Sequence, residues 1–293
     1  SKGDEVIVQG NTYIASVMGI TINGATPVFV EPDEYFNIDA SKIEEKITER
    51  TKAILVVHLY GQASNMKPVV DLCKKYNLRL VEDCAQSHGA KFDGQTTGSF
   101  GDIGCFSFFG NKVITTGEGG MCITNNQELD KKMRIYRDHG MSKERKYYHE
   151  VIGYNYRMTN LQAAIGVAQL ENIENTLEWR ETLENAYRNR LSEIEGVELQ
   201  RNDLPERKKI AWLVTAYVSD EKKRDACMKA MVDMNIDARP FFIPLSEMEI
   251  YKEYVFSNRV STRISKCGFN LPTSYVVGDK EIDRVIAAIK TAI

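Results

Sequence analysis

The chain has 293 residues, 43% apolar and 27% charged, with a formal net charge of −3. That balance suits a globular protein of one large domain or two smaller ones. No Lys/Arg block forms a nucleic-acid footprint, and no apolar run approaches the ~18 residues of a membrane span.

"SKGDEVIVQG" has no initiator Met and leads straight into a strand, so an N-terminal segment is expected to be missing. DEVIV reads as a short buried strand. TYIASVMGITING reads as a helix with Gly24 as its C-cap, and TPVFVEP as a strand. DASKIEEKITER carries a helical period with Asp39 or Ser41 as N-cap. KAILVVHLY is a buried strand, KPVVDLCKKYN a helix with Pro68 in its first turn, and LRLVED a further strand. Near-continuous apolar strands separated by helices imply a parallel sheet covered on both faces.

Two more strand-like runs, CFSFF and GGMCIT, flank a glycine-rich stretch. A helix is expected near 127–138, then the polar and aromatic SKERKYYHEVIGYNYRMT, then one long helix from about Asn160 to Glu195. That helix is expected to leave a large domain (1–165) and enter a smaller α/β domain (166–293). The remainder reads as strand (212–218), helix (222–234), strand (236–242), an irregular stretch and a last helix from about Asp279. The six cysteines form no C-x-x-C pair and read as buried, reduced thiols of a cytoplasmic protein. Without close Cys/His spacing no structural zinc site is expected.

Asp83 closes the strand LRLVED, where ligands of open α/β sheets bind. Gln86 and His88 follow it. Taken alone, an Asp there is a turn or cap residue and the His a structural one. Lys112 ends the run CFSFFGNK, and Gly117, Gly119 and Gly120 come next, which lets backbone approach a ligand or take positive φ. A lysine held at the end of a buried strand is partly desolvated, which lowers its pKa and makes the amine a nucleophile. A nucleophilic lysine with an upstream carboxylate is what pyridoxal phosphate chemistry needs: one group to hold the cofactor covalently, the other to keep its ring nitrogen protonated.

The segments EDCAQSHGA, GSFGDIGCFSFFGNKVITTGEGGM and GYNYRMTNLQAAIGVAQLE carry a resemblance that runs from Gly3 to the C-terminus. The chain resembles the sugar aminotransferases of the DegT/DnrJ/EryC1/StrS family. The resemblance implies a fold-type I, aspartate-aminotransferase-like enzyme using pyridoxal 5'-phosphate, with pyridoxamine phosphate as its aminated form. Its partners would be a nucleotide-linked keto-sugar and L-glutamate, in a homodimer with shared active sites. It implies Lys112 as tether and proton shuttle and Asp83 at the pyridine nitrogen. Gln86 would lie near the ring hydroxyl, Ser107 on the phosphate and Tyr13 stacked on the ring. Asn155 would reach the phosphate of the neighbouring subunit. FFGNKVITTGEGGM and YYHEVIGYNYRMTNLQAAIGVAQLE point within the family to a GDP-linked 4-keto-6-deoxy sugar. NTYIAS and QSHGA also resemble the branch that aminates dTDP sugars at C3.

Against that pattern, the upstream Gly-Thr phosphate loop of the family is not in this sequence, and Ser246 stands where many members carry a sugar-proximal His. Two other readings are disfavoured. The related dehydratases carry His at the lysine position, and a plain dinucleotide-binding domain would need a G-x-G-x-x-G after its first strand. A non-enzymatic reading, an inert relative acting through dimerisation or ligand binding, is the alternative from another class.

Overall fold

Each apolar run in the first part of the chain is followed by a helix or turn that returns the backbone to the same end of the sheet, so successive strands stack in parallel. The computed structural model describes residues 1–254 and 257–293. In chain order it contains β1 (Glu5–Gln9), α1 (Ala15–Ile22), β2 (Thr26–Val30), β3 (Thr51–Val57), α2 (Met66–Tyr76) and β4 (Arg79–Asp83). The short ribbons β5 (Lys91–Phe92) and β6 (Gln95–Thr96) precede β7 (Ile103–Ser107), β8 (Gly120–Ile123), α3 (Gln127–Tyr136), α4 (Asn160–Glu171) and α5 (Ile173–Leu191). Last come β9 (Val197–Leu199), β10 (Arg207–Lys208), β11 (Val214–Val218), α6 (Glu221–Asp233), β12 (Arg239–Pro240), α7 (Arg259–Cys267), β13 (Gly268–Leu271) and α8 (Asp279–Lys290).

Six strands form one sheet in the order β2-β1-β3-β4-β7-β8. The first five are parallel and β8 closes the edge antiparallel to β7. Ile7, Ile54, Val56 and Leu80 fill one core. A second, antiparallel sheet runs β12-β13-β11-β9. Leu183 and Tyr187 of α5, Met231 of α6 and Ile286 of α8 pack with Ala216 and Phe269 of this sheet. The two parts touch closely at Gly61, whose φ is +89° and where a Cβ would lie 1.6 Å from the Ile210 carbonyl oxygen.

Several expected elements differ. DASKIEEKITER makes two 3₁₀ turns, Ala40–Lys42 and Glu44–Lys46, instead of an α-helix. Asp39 does cap the first by accepting from the Ser41 N–H, but Ile43 is the segment's one fully buried anchor, too little apolar face to hold a longer helix. The pattern from Asn160 to Glu195 is two helices broken at Asn172, and the second ends at Leu191. The expected strand 236–242 pairs only through Arg239 and Pro240, since proline cannot donate to a ladder. The irregular stretch after it contains α7 and β13. The cysteines are all unpaired, but Cys122 on the edge strand is exposed and Cys105 half-buried, their sulfurs 3.9 Å apart.

The buried Glu82 carboxylate joins three pieces of chain. Its Oε2 accepts from the Gly98 N–H (2.7 Å), and its Oε1 from the N–H groups of Phe100 (2.7 Å) and Gly101 (2.8 Å). His58 Nε2, beyond β3, lies 3.1 Å from Oε2. Gly98 takes φ +91°, which suits glycine, and a Cβ there would sit 2.7 Å from the Phe106 ring. Burial alone would push the Glu82 carboxyl up, but the bonds from His58, Gly98 and Gly101 outweigh it and hold its pKa below the ordinary 4.5. Stability from such a group is present above about pH 4.5 and is lost as pH falls through the lower native value. Glu82→Gln sets an amide NH₂ against backbone donors and is expected to cost about 3 kcal/mol near neutral pH. Urea midpoints should show that gap, and it should narrow as pH falls below 4.5 and through the lower native value; a gap that stays the same size throughout acidification would contradict the assignment.

Candidate active site

The carboxyl ends of the parallel strands β3, β4 and β7 lie side by side, with Asp83 in register with Cys105. Ligands of such sheets bind there. Asp83 is fixed on both oxygens: Oδ2 accepts from the Ser16 hydroxyl (2.7 Å) and Oδ1 from the Ala85 N–H (3.0 Å). Ser16 belongs to the first turn of α1, and its hydroxyl is 3.2 Å from that of Thr12. Gln86 is buried, with its Oε1 accepting the Tyr60 N–H at 2.8 Å.

Past β7 the chain turns tightly. The Lys112 N–H donates to the Phe109 carbonyl (3.0 Å), and the Thr116 N–H and Thr115 hydroxyl both donate to the Phe108 carbonyl (2.9 Å each). Val113 and Ile114 are buried anchors for this loop. Gly117 has φ +77° and Gly119 φ +150°, and a Cβ on Gly119 would lie 2.5 Å from the Thr116 hydroxyl. The glycines therefore let the chain reverse into β8 while the lysine stays in place. Ser107, the last residue of β7, is half-buried and accepts from the Phe109 N–H at 3.3 Å. Phe106 and Phe108 are half-buried, with His88 packed 5.4 and 6.0 Å from their rings. His88 is buried with neither ring nitrogen hydrogen-bonded, and burial together with the charge of Lys112 pushes its pKa down to about 4.

The Lys112 amine rests 3.9 Å above the centre of the Trp212 ring. Burial pushes its pKa from 10.5 down to about 8, with Asp83 pulling the other way. The indole N–H of Trp212 donates to the Asn111 carbonyl (2.8 Å), which ties this shelf to the lysine loop. Trp212 stacks on Tyr60 (6.3 Å, 14°), Tyr60 on Phe242 (5.6 Å, 8°), and Phe242 meets Tyr13 (5.7 Å). A row of aromatic rings thus links Tyr13, 55% exposed just ahead of α1, to Lys112.

The structure brings Asp83, Gln86, Ser107 and Lys112 to one end of the sheet, with Tyr13 at the far end of the aromatic row. Asn155 stands apart, exposed and bridged to Asp138; among the described residues no hydrogen bond joins it to the others. Ser246, at the expected sugar-proximal position, is 3.4 Å from the Asn258 amide. Sequence reasoning missed Ser16, Tyr60 and Trp212. Ser16 had a signal, lying one helical turn after Thr12 in NTYIAS, whereas Trp212 opens the run read as a strand and acts through Lys112 and Asn111, far away in sequence.

His58, Glu82 and Cys84 lie close enough together to suggest a metal centre. The donor chemistry does not fit one. The Ser64 N–H donates to His58 Nδ1 at 3.1 Å, so the ring proton sits on Nε2 and faces Glu82, whose oxygens already accept three backbone N–H groups. Burial pushes the Cys84 thiol well up, away from the thiolate a metal would need.

Comparison with known proteins extends the picture. The sequence profile of the DegT/DnrJ/EryC1/StrS aminotransferase family matches residues 1–290. The GDP-perosamine synthase of Caulobacter vibrioides is 42% identical over 291 residues, 98% of this chain and 78% of that enzyme. The dTDP-3-amino-3,6-dideoxy-alpha-D-galactopyranose transaminase of Aneurinibacillus thermoaerophilus is 40% identical over 291 residues, again 98% of this chain and 78% of that enzyme. DesV of S. venezuelae superposes with a TM-score of 0.91 at 32% identity, covering 99% of this chain and 78% of its own. Among the described residues no helix is long and apolar enough to cross a membrane.

The depressed Lys112 pKa carries a stability signature. Below about pH 8 the native fold holds a charge that the unfolded chain, with its lysine near 10.5, accommodates more easily. This penalty is fully present below 8, fades between 8 and 10.5, and is absent above. Lys112→Met is therefore expected to raise the melting temperature at neutral pH, with the gain fading as pH rises toward 10.5. A variant less stable than the parent at neutral pH would contradict the desolvated lysine.

Proposed function

The chain belongs to the DegT/DnrJ/EryC1/StrS aminotransferase family, and from that premise we propose that it moves the amino group of L-glutamate to a nucleotide-linked 4-keto-6-deoxy sugar, with a GDP sugar as the preferred substrate. The observation that carries the reading is the desolvated Lys112 amine, under the influence of Asp83, at the carboxyl ends of β4 and β7. The GDP assignment is supported by the GDP-perosamine synthase of Caulobacter vibrioides at 42% identity. The dTDP-sugar transaminase at 40% favours a second reading, amination of a dTDP- or UDP-linked keto-sugar at C3 or C4.

The residues fit pyridoxal 5'-phosphate on their own chemistry: a primary amine with a pKa near 8, a carboxylate fixed by a hydroxyl, a strand-end serine, and an exposed aromatic ring at the end of a stacked row. When bound, that cofactor would supply an electron sink that makes the α-proton of an amino donor labile. Lys112 Nζ would hold it covalently and, when free, take up and return the migrating proton, a task suited to a base whose pKa lies near the working pH. Asp83 Oδ2, steadied by Ser16, would hold the proton on the ring nitrogen. Gln86 would face the ring hydroxyl, Ser107 Oγ would donate to the phosphate, and Tyr13 would cover the ring face. Asn155 would reach the phosphate of a neighbouring subunit.

A homodimer is supported by α4, which has no buried residue and exposes Leu161, Ile165, Val167 and Leu170 beside Tyr154 and Tyr156. The division at residue 165 would then fall within this helix, between a cofactor-binding part and a smaller C-terminal part. We place the enzyme in the cytoplasm, where unpaired thiols such as its six remain reduced.

The test is reconstitution with pyridoxal phosphate followed by a panel of GDP-, dTDP- and UDP-linked 4-keto and 3-keto sugars with L-glutamate. The expected results are a visible absorbance band removed by borohydride, with mass fixed at Lys112, and amination of the GDP-4-keto-6-deoxy sugar ahead of the rest. Lys112→Ala should abolish transfer. A protein that never takes the band would favour the inert, ligand-binding reading, and faster turnover of a dTDP or UDP sugar would favour the second.

A further inference from the structure

Four of the six cysteines, Cys73, Cys84, Cys227 and Cys267, are buried. Burial pushes each of these thiols up and holds it in the unreactive protonated form. The other two stand together. Cys105 on β7 and Cys122 on β8 are direct cross-strand partners with sulfurs 3.9 Å apart. The ladder explains the closeness. One step beyond it, the Phe108 N–H donates to the Gly119 carbonyl (2.9 Å), and in an antiparallel ribbon bonded and non-bonded pairs alternate. Three steps back, 105–122 is therefore a non-bonded pair, the kind whose Cα atoms stand about 4.5 Å apart. The Cys105 carbonyl accordingly faces β4, where it accepts from the Cys84 N–H at 2.7 Å. A disulfide spans Cα separations of roughly 4.4–6.8 Å, so this pair needs little backbone movement to close.

Access and acidity differ between the two sulfurs. Cys122 is exposed on the sheet edge, and Cys105 is half-buried. The hydrogen bond between them holds the Cys122 thiol below its ordinary 9.0 and pushes that of Cys105 up. An exposed sulfur that ionises easily, beside a second thiol able to resolve it, is the arrangement of redox-sensing cysteines. Its place in the fold adds a consequence. Cys105 is in register with Asp83, and the pair brackets the stretch 106–121 that carries Lys112 and its glycine turn. A bond between the sulfurs would close that stretch at its base.

We propose that Cys105 and Cys122 are a redox modification site, a dithiol that hydroperoxides convert reversibly into a cross-strand disulfide stapling the base of the Lys112 loop. The Cys122 thiolate attacks a peroxide oxygen and the O–O bond breaks. The departing oxygen takes a proton and leaves as water, with Cys122 now a sulfenic acid. The Cys105 sulfur then displaces the hydroxyl from that sulfur, and its own proton goes with it to form a second water. The two thiols lose two hydrogens, and hydrogen peroxide is reduced to water. In a reducing compartment such a bond is transient, formed under oxidant and removed by dithiols.

The test uses the full chain, reduced with dithiothreitol, desalted and exposed to hydrogen peroxide. Remaining thiols are alkylated in denaturant and the protein is digested with trypsin, which cuts after Lys112 and so places the two cysteines on different peptides. The expected result is a peptide pair linked through Cys105 and Cys122, two fewer alkylatable thiols than the six of the reduced chain, and recovery of both on returning dithiothreitol. Cys105→Ser should lose the link and leave Cys122 as a sulfenic acid that dimedone captures. In Cys122→Ser the Cys105 thiol should stay alkylatable at the same peroxide dose, and dimedone capture at Cys105 instead would overturn the order of attack. Six alkylatable thiols after peroxide would overturn the proposal itself. So would disulfides formed only between chains on a non-reducing gel, or sulfinic acid at Cys122 with Cys105 still free. None of these readouts depends on amino transfer, so their failure leaves the proposed function standing.

Discussion

One buried carboxylate organises the part of the molecule where chemistry can occur. Glu82 draws together the end of β3 through His58, its own strand β4, and the turn at 98–101 that leads into β7. A charged group with no exposure is tolerable only when its lone pairs are met, and here three backbone donors and one ring nitrogen meet them. The adjacent residue is Asp83. Because side chains alternate along a strand, fixing Glu82 into the protein on one face fixes Asp83 toward the other. The reactive end of the sheet is therefore positioned from behind.

On the front, the governing effect is exclusion of water. The Lys112 amine has aromatic carbon beneath it and a tightly bonded loop around it, so its charged form loses hydration and regains only part through Asp83 and the indole face. The shelf itself is cross-braced. Trp212 is tied to the lysine loop through Asn111, to α5 through Arg180, and to the sheet end through Tyr60, which is bonded in turn to Gln86. Residues from five separate stretches of chain thus share one surface.

Much of this was legible in the sequence because it depends on short-range pattern. Near-continuous apolar strands gave the parallel sheet, and Lys112 with its three following glycines announced a constrained loop. What stayed hidden depends on distance or on anchoring. DASKIEEKITER has the period of a helix but a single buried anchor, Ile43, so tertiary context reduced it to 3₁₀ turns. The run from 160 to 195 kept its helical period across Asn172 even though the backbone breaks there. Ser16, Tyr60, Trp212 and Arg180 matter through partners dozens to more than a hundred residues away in sequence, and no window of sequence reveals such pairings. Cys122 looked like core because it is flanked by Met and Ile, yet β8 is the edge of its sheet.

The lowered basicity of Lys112 has a cost in selectivity. An amine with a pKa near 8 has a far larger neutral fraction in ordinary buffer than a free lysine, and that fraction can condense with small aldehydes as well as with an intended carbonyl. Discrimination must then come from what surrounds the nitrogen: the planar Trp212 shelf below it and the tightly bonded loop that carries it. Changes to those walls should retune what the protein accepts long before any change to the lysine would.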